Sequence, residues 1–112
     1  MESTRLQKIS RQLQKDLGEI LSRLDKNILN GKMISVTVVR VSPDLGLAKI
    51  YLSIFPSEGA EAFLDELRHH TKHIRNLLGQ RVRNQLRIVP ELAFFIDDSI
   101  DYVNRIDELL KK

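Results

Sequence analysis

Met33-Ile34-Ser35-Val36-Thr37-Val38-Val39-Arg40-Val41-Ser42-Pro43-Asp44-Leu45-Gly46-Leu47-Ala48-Lys49-Ile50-Tyr51-Leu52-Ser53-Ile54-Phe55 is the stretch on which the fold turns. Its first nine residues are rich in β-branched side chains and read as a strand. Ser42 to Gly46 then reads as a hairpin loop. Proline fixes φ, Asp44 can cap locally, and Gly46 can take positive φ. The return strand, Leu47 to Phe55, alternates cleanly. Ala48, Ile50, Leu52 and Ile54 point one way; Lys49, Tyr51 and Ser53 point the other. A sheet built on this hairpin meets helices on one face and leaves the other largely open.

Upstream, Leu6, Ile9, Leu13, Leu17, Ile20, Leu21 and Leu24 recur in steps of three and four, which predicts an amphipathic helix with Ser3 or Thr4 as N-cap. Asn30-Gly31 closes that region. Downstream, Pro56-Ser57-Glu58 is expected to cap a helix carrying Ala60, Phe63, Leu64 and Leu67. The apolar rhythm lapses across Arg68-His69-His70-Thr71-Lys72-His73 and resumes at Ile74, Leu77, Leu78 and Val82, so two helices with a break are predicted. Val89-Pro90 stops the second, because the residue before proline avoids helical geometry. Leu92 to Ile96 reads as a third strand. Ser99 opens a final helix with Ile100, Val103, Ile106, Leu109 and Leu110. The order α-β-β-α-α-β-α describes an α+β domain, a small three-stranded mixed sheet with helices packed on one face. Residues 1–112 form one domain, with 99–112 as a C-terminal helix appended to it.

Composition narrows the function classes. The chain has 112 residues, 42% of them hydrophobic, and no cysteine, which excludes disulfides and thiol chemistry and fits a reducing compartment. The start lacks the apolar core of a secretory signal, and no apolar run approaches membrane-spanning length, so a cytoplasmic location is expected. The net charge is only +3, yet Arg68, Lys72, Arg75, Arg81, Arg83 and Arg87 crowd into residues 68–90 with all three histidines and no acid. The next stretch is acidic. A small domain that gathers cations against their mutual repulsion suits a polyanionic partner. A second cationic surface is expected on the first helix, where Arg5, Lys8, Arg11 and Lys15 recur on the face opposite the leucines.

Arg75, Gly79 and Arg83 stand at i, i+4 and i+8. That stripe would let an RNA backbone approach at the glycine while guanidinium groups grip phosphates on either side. The bland alternative is a glycine serving helix packing between two solvated arginines. Of the aromatics, Tyr51 is the best stacking candidate, because Lys49 and Ser53 share its side of the strand. Phosphate and shape contacts are expected to dominate, with little base readout.

The order of elements matches the type II KH fold, a single-stranded nucleic-acid-binding module. Four segments narrow it: Val39 to Leu45 with Ala48 to Ser53, Ile74-Arg75-Asn76-Leu77-Leu78-Gly79, Leu86 to Leu92, and Phe95 to Ile100 through Arg105-Ile106-Asp107. Together with the opening helix they closely resemble the bacterial ribosome-binding factor A family over essentially the whole chain. That resemblance implies a non-enzymatic assembly factor without a cofactor. It would bind the immature 30S ribosomal subunit and 16S rRNA, assist late maturation and processing of the 16S rRNA 5′ end, and support growth in the cold. A monomer is expected, with a ribosome-assembly GTPase implicated in release. The RNA-binding set carried by these readings is Arg5, Lys8, Arg11, Lys15, Arg68, Lys72, Arg75, Gly79, Arg81, Arg83 and Arg87. Two departures stand out. The family's Ala-x-Gly kink between the paired helices is replaced by His70-Thr71-Lys72, and Arg81 to Gln85 predicts that the second of those helices runs further before the last strand.

Two rival classes follow from the same residues. Asp65, His69 and His73 at i, i+4 and i+8 could align metal ligands on one helical face, but no fourth ligand or water-activating base accompanies them. Alternatively, the first and last helices and the acidic C-terminal segment could make a protein-interaction module. It would dock on ribosomal proteins or an assembly GTPase, with RNA contact secondary.

Overall fold

The hairpin forms with the limits read from the sequence, β1 over Met33–Val41 and β2 over Leu47–Phe55, paired antiparallel. A computed structural model describes residues 4–97 of the chain; the helix expected from Ser99 and the candidate cap Ser3 lie outside the described residues. Strand β3, Glu91–Ile96, runs parallel to β2 on its other side, so the sheet order is β1-β2-β3 and β2 is central. That position explains its inward row, in which Ala48, Ile50 and Leu52 are fully buried.

The core lies between this inner face and the helices. Helix α1, Thr4–Ser22, buries Leu13, Leu17, Ile20 and Leu21 over β1. A short helix unforeseen from the sequence follows, α2 over Lys26–Leu29. The Asp25 carboxylate accepts the Asn27 N–H at 2.9 Å to start it, and Asn30 at φ 47° ends it. Helices α3, Ala60–Arg68, and α4, Thr71–Val82, then return the chain to β3 and contribute Phe63, Leu64, Leu67, Ile74, Leu78 and Val82 to the same core. The result is the predicted α+β arrangement, a mixed three-stranded sheet with helices on one face. Among the described residues no helix is long and apolar enough to cross a membrane.

Several local details differ from expectation. In the hairpin loop Leu45, not Gly46, takes positive φ, at 61°. Asp44 decides this: its carboxylate accepts the Ser42 hydroxyl at 2.7 Å and the Gly46 N–H at 3.0 Å. A Cβ on Gly46 would meet that carboxylate at 3.3 Å, so the glycine makes room for the cap. No side chain of Pro56-Ser57-Glu58 caps α3. The Lys32 ammonium holds the carbonyls of Pro56 and Glu58 instead, and Gly59 at φ 71° turns the chain into the helix. The extension predicted for α4 is absent. Regular helix stops at Val82, whose carbonyl accepts the N–H groups of both Gln85 and Leu86 at 2.8 Å.

A β-bulge at Thr37, between Val36 and Val38, was not legible either. It switches the parity of the inward row from Ile34 and Val36 to Val39 and Val41. Gln14 of α1 donates to the carbonyls of Val36 and Thr37, each at 3.3 Å, and the Thr37 hydroxyl lies 2.5 Å from Asp97 Oδ2.

Truncating the central strand tests the placement of the core. Leu52→Ala removes a fully buried side chain and should cost about 2–5 kcal/mol in urea denaturation. A loss below about 1 kcal/mol would be incompatible with that burial.

Candidate nucleic-acid interface

The junction between α3 and α4 is made by tightening and then breaking one helical path. The His69 N–H bonds to Glu66 O at 3.1 Å and the His70 N–H to Leu67 O at 2.9 Å, three-residue closures that wind up the last turn of α3. His70 then leaves helical geometry at φ −101° and ψ 10°, and α4 starts with the Ile74 N–H on His70 O at 2.9 Å. The Thr71 hydroxyl satisfies Arg68 O at 2.7 Å, a carbonyl that the break would otherwise orphan. The helix break therefore forms without the alanine and glycine of the family's kink.

Beside this junction lies an open groove of about 950 Å³. Lys72, Arg75 and Arg83 line it with the three histidines, Gly79 lies among them, and no acidic side chain contributes to its walls. The i, i+4, i+8 stripe is thus a real surface. Asn76 and Gln80 join it; both lie at helical spacing from Lys72, a signal already present in the sequence. An added Cβ on Gly79 would touch Val89 Cγ2 at 3.4 Å, an ordinary contact, so packing alone does not demand glycine there.

The expected cations divide into tethered and untethered groups. Arg75 Nε donates to Pro90 O at 3.1 Å and its Nη2 to Val89 O at 2.6 Å, fixing the guanidinium to the segment that leads into β3. Arg68 bridges Asp65 at 3.0 Å and Phe94 O at 2.7 Å. Arg81 departs most from expectation. It turns away from the groove toward α1, where it pairs with Glu19 and lies 3.6 Å from Asp16. Lys72, Arg83 and Arg87 are exposed and make no ion pair with any described residue. Arg5, Lys8, Arg11 and Lys15 are exposed along α1 as expected, but they do not line the groove. Arg11 and Lys15 border a separate depression of about 440 Å³ between α1 and β1.

The alignment required of Asp65, His69 and His73 does not form. The break separates α3 from α4, Asp65 is paired with Arg68, and no group of three potential ligands occurs among the described residues.

Fold and groove together define a KH-like α+β module whose paired helices present a cationic surface. Comparison with known proteins makes the assignment specific. The family profile described as ribosome-binding factor A matches residues 5–110. A ribosome-binding factor A from Cytophaga hutchinsonii is 46% identical over 112 residues, covering 100% of this chain and 84% of the relative. The crystal structure of ribosome-binding factor A from Thermus thermophilus superimposes with a TM-score of 0.68 at 26% identity, over 81% of this chain and 94% of that one. A homology model of the Thermus thermophilus factor, fitted into a cryo-electron-microscopy map of its 30S complex, gives 0.63 at 29% identity, over 80% and 91%. The chain belongs to the ribosome-binding factor A family.

The Arg81 clamp carries a pH signature. The hydrogen bond from Arg81 holds the Glu19 carboxyl below its ordinary range, aided by the charges of Arg81, Lys15 and Arg23, and Arg81 is raised in return. A carboxyl whose pKa falls on folding stabilises the folded state above its unfolded pKa and loses that contribution as pH drops through the folded value. Glu19→Gln should therefore lower the melting temperature near pH 7, with the difference from the parent shrinking as carboxylates protonate. A difference independent of pH would exclude a role for the ionised pair.

Proposed function

We propose that this protein is a non-enzymatic assembly factor that binds the 30S ribosomal subunit through 16S rRNA and assists late maturation of the 16S rRNA 5′ end. The observation that carries this reading is the acid-free groove at the α3–α4 junction, where Lys72, Arg75 and Arg83 meet around Gly79. The phosphate backbone is the ligand such a groove suits. Each neutralised phosphate releases counterions, and a glycine lets the backbone come close. The tethered Arg75 gives the wall a fixed shape, while Lys72 and Arg83 supply charges free to adjust. Family membership and the 30S complex of the Thermus thermophilus factor support the choice of ribosomal RNA over other polyanions. The protein acts in the cytoplasm as a monomer and performs no bond chemistry, and its release is coupled to an assembly GTPase.

Reversing Lys72 and Arg83 to Glu should remove co-sedimentation with small subunits while leaving the thermal transition within a few degrees of the parent. The residual RNA binding should depend less steeply on salt, by about one to two units of the log–log slope for two phosphates. Unchanged sedimentation would take the groove out of the binding site. Arg75→Glu is a different experiment, because it also strips two carbonyl hydrogen bonds; it should destabilise the fold by about 1–3 kcal/mol.

A further inference from the structure

The face of the sheet turned away from the helices carries more apolar surface than a solvated sheet needs. Tyr51 and Phe95 are register partners on β2 and β3, with ring centroids 5.5 Å apart and planes at 29°. Val38 of β1 is the partner of Tyr51 on its other side, so one apolar rung crosses all three strands. Phe95 and Val38 remain 37% and 36% exposed. The next rung on this face pairs Arg40 with Lys49, both exposed and without an ion pair to any described residue. The rung on the other side places Ser35 opposite Ser53.

We propose that this open face is a second RNA-contacting surface, on which Tyr51 and Phe95 stack unpaired bases while Arg40 and Lys49 hold the adjoining phosphates. The inference rests on the reading of the chain as an RNA binder, and it adds a different chemistry. The groove at the helix junction offers charge, whereas this face offers rings. Two residues along a strand span about 7 Å, a distance that lets a base lie on the aromatic rung while its phosphate reaches the cationic one. Aromatic rings beside cations are how single strands are held without sequence readout, since every base has a π-face. Two carboxylates border the surface, one at each end of β3. Glu91 stands opposite Leu47 at the hairpin end of the sheet, and Asp97, just past the end of β3, lies against the Thr37 hydroxyl of β1. Stacking on these rings requires bases that are out of a duplex, so the ligand is an unpaired RNA segment.

The test is an NMR titration of the full chain with a single-stranded adenine–uridine decamer and, separately, with an RNA duplex of the same length. Signals of Val38, Tyr51, Ala93 and Phe95 should shift with the single strand only, and signals of the helix-junction groove with both. Phe95→Ala should weaken single-strand binding about 5- to 100-fold at an unchanged salt slope and leave duplex binding alone. Phe95→Leu, which keeps an apolar side chain in place, should move affinity in the same direction. Lys49→Gln should flatten the single-strand salt slope by about 0.7. Groove signals that move while the sheet signals stay still would overturn the proposal and spare the groove. So would a Phe95 variant that loses small subunits but keeps its RNA affinity, the mark of a protein-docking face. Contacts between Phe95 and residues 99–112 in the free protein would show the chain covering its own rings, and would overturn it as well. If neither surface responds to any RNA, the RNA-binding reading fails along with this one.

Discussion

Guanidinium groups hold the helix pair in place. Arg68 reaches from the end of α3 to the Phe94 carbonyl in β3, Arg75 from α4 to the carbonyls of Val89 and Pro90, and Arg81 from the last turn of α4 to Asp16 and Glu19 of α1. These ties run in two directions, toward the third strand and toward the first helix. They add fixed polar contacts to the apolar packing of Phe63, Leu64, Leu67, Ile74, Leu78 and Val82. They also answer a problem the sequence sets. Six like charges within twenty residues repel one another, and giving three of them internal acceptors relieves the repulsion before any partner arrives.

The same ties protect the edge of the sheet. Among the described residues β3 is an edge strand, and unpaired edge carbonyls invite association. Arg68 occupies one such carbonyl, and Arg75 occupies two in the segment just before the strand. A charged group at an edge both satisfies the backbone and discourages a neighbouring strand. Arg68, Arg75 and Arg81 thus serve the fold first, and the groove keeps Lys72 and Arg83 as its untethered cations.

The strands and helices were legible where a single period governs the residues. Alternation marked the central strand from about Leu47 to Phe55, and the lapse in apolar rhythm across Arg68 to His73 contains the helix break. What escaped depends on partners distant in sequence. Nothing near Arg81 reveals that Asp16 and Glu19 await it from α1, some sixty residues earlier. The i, i+4, i+8 stripe was readable because one helix supplies it, whereas the division of cations into tethered and untethered is a property of the assembled fold. Leu45 escaped for a local reason. A leucine at positive φ is disfavoured on its own, and only the Asp44 cap, with the leucine side chain resting against the core, makes it acceptable.

The bulge at Thr37 has a consequence for how this strand tolerates loss of a residue. Val36 faces Leu52 and Val38 faces Tyr51, so excising Thr37 would join two correctly facing halves into an unbroken ladder. Excising either neighbour would instead seat Thr37 in a valine's place, opposite Leu52 or Tyr51. Thr37 is thus the one position in β1 that pairing does not require. What it supplies is an anchor, a hydroxyl for Asp97 and a carbonyl for Gln14, and its deletion would leave the sheet whole while removing those two ties.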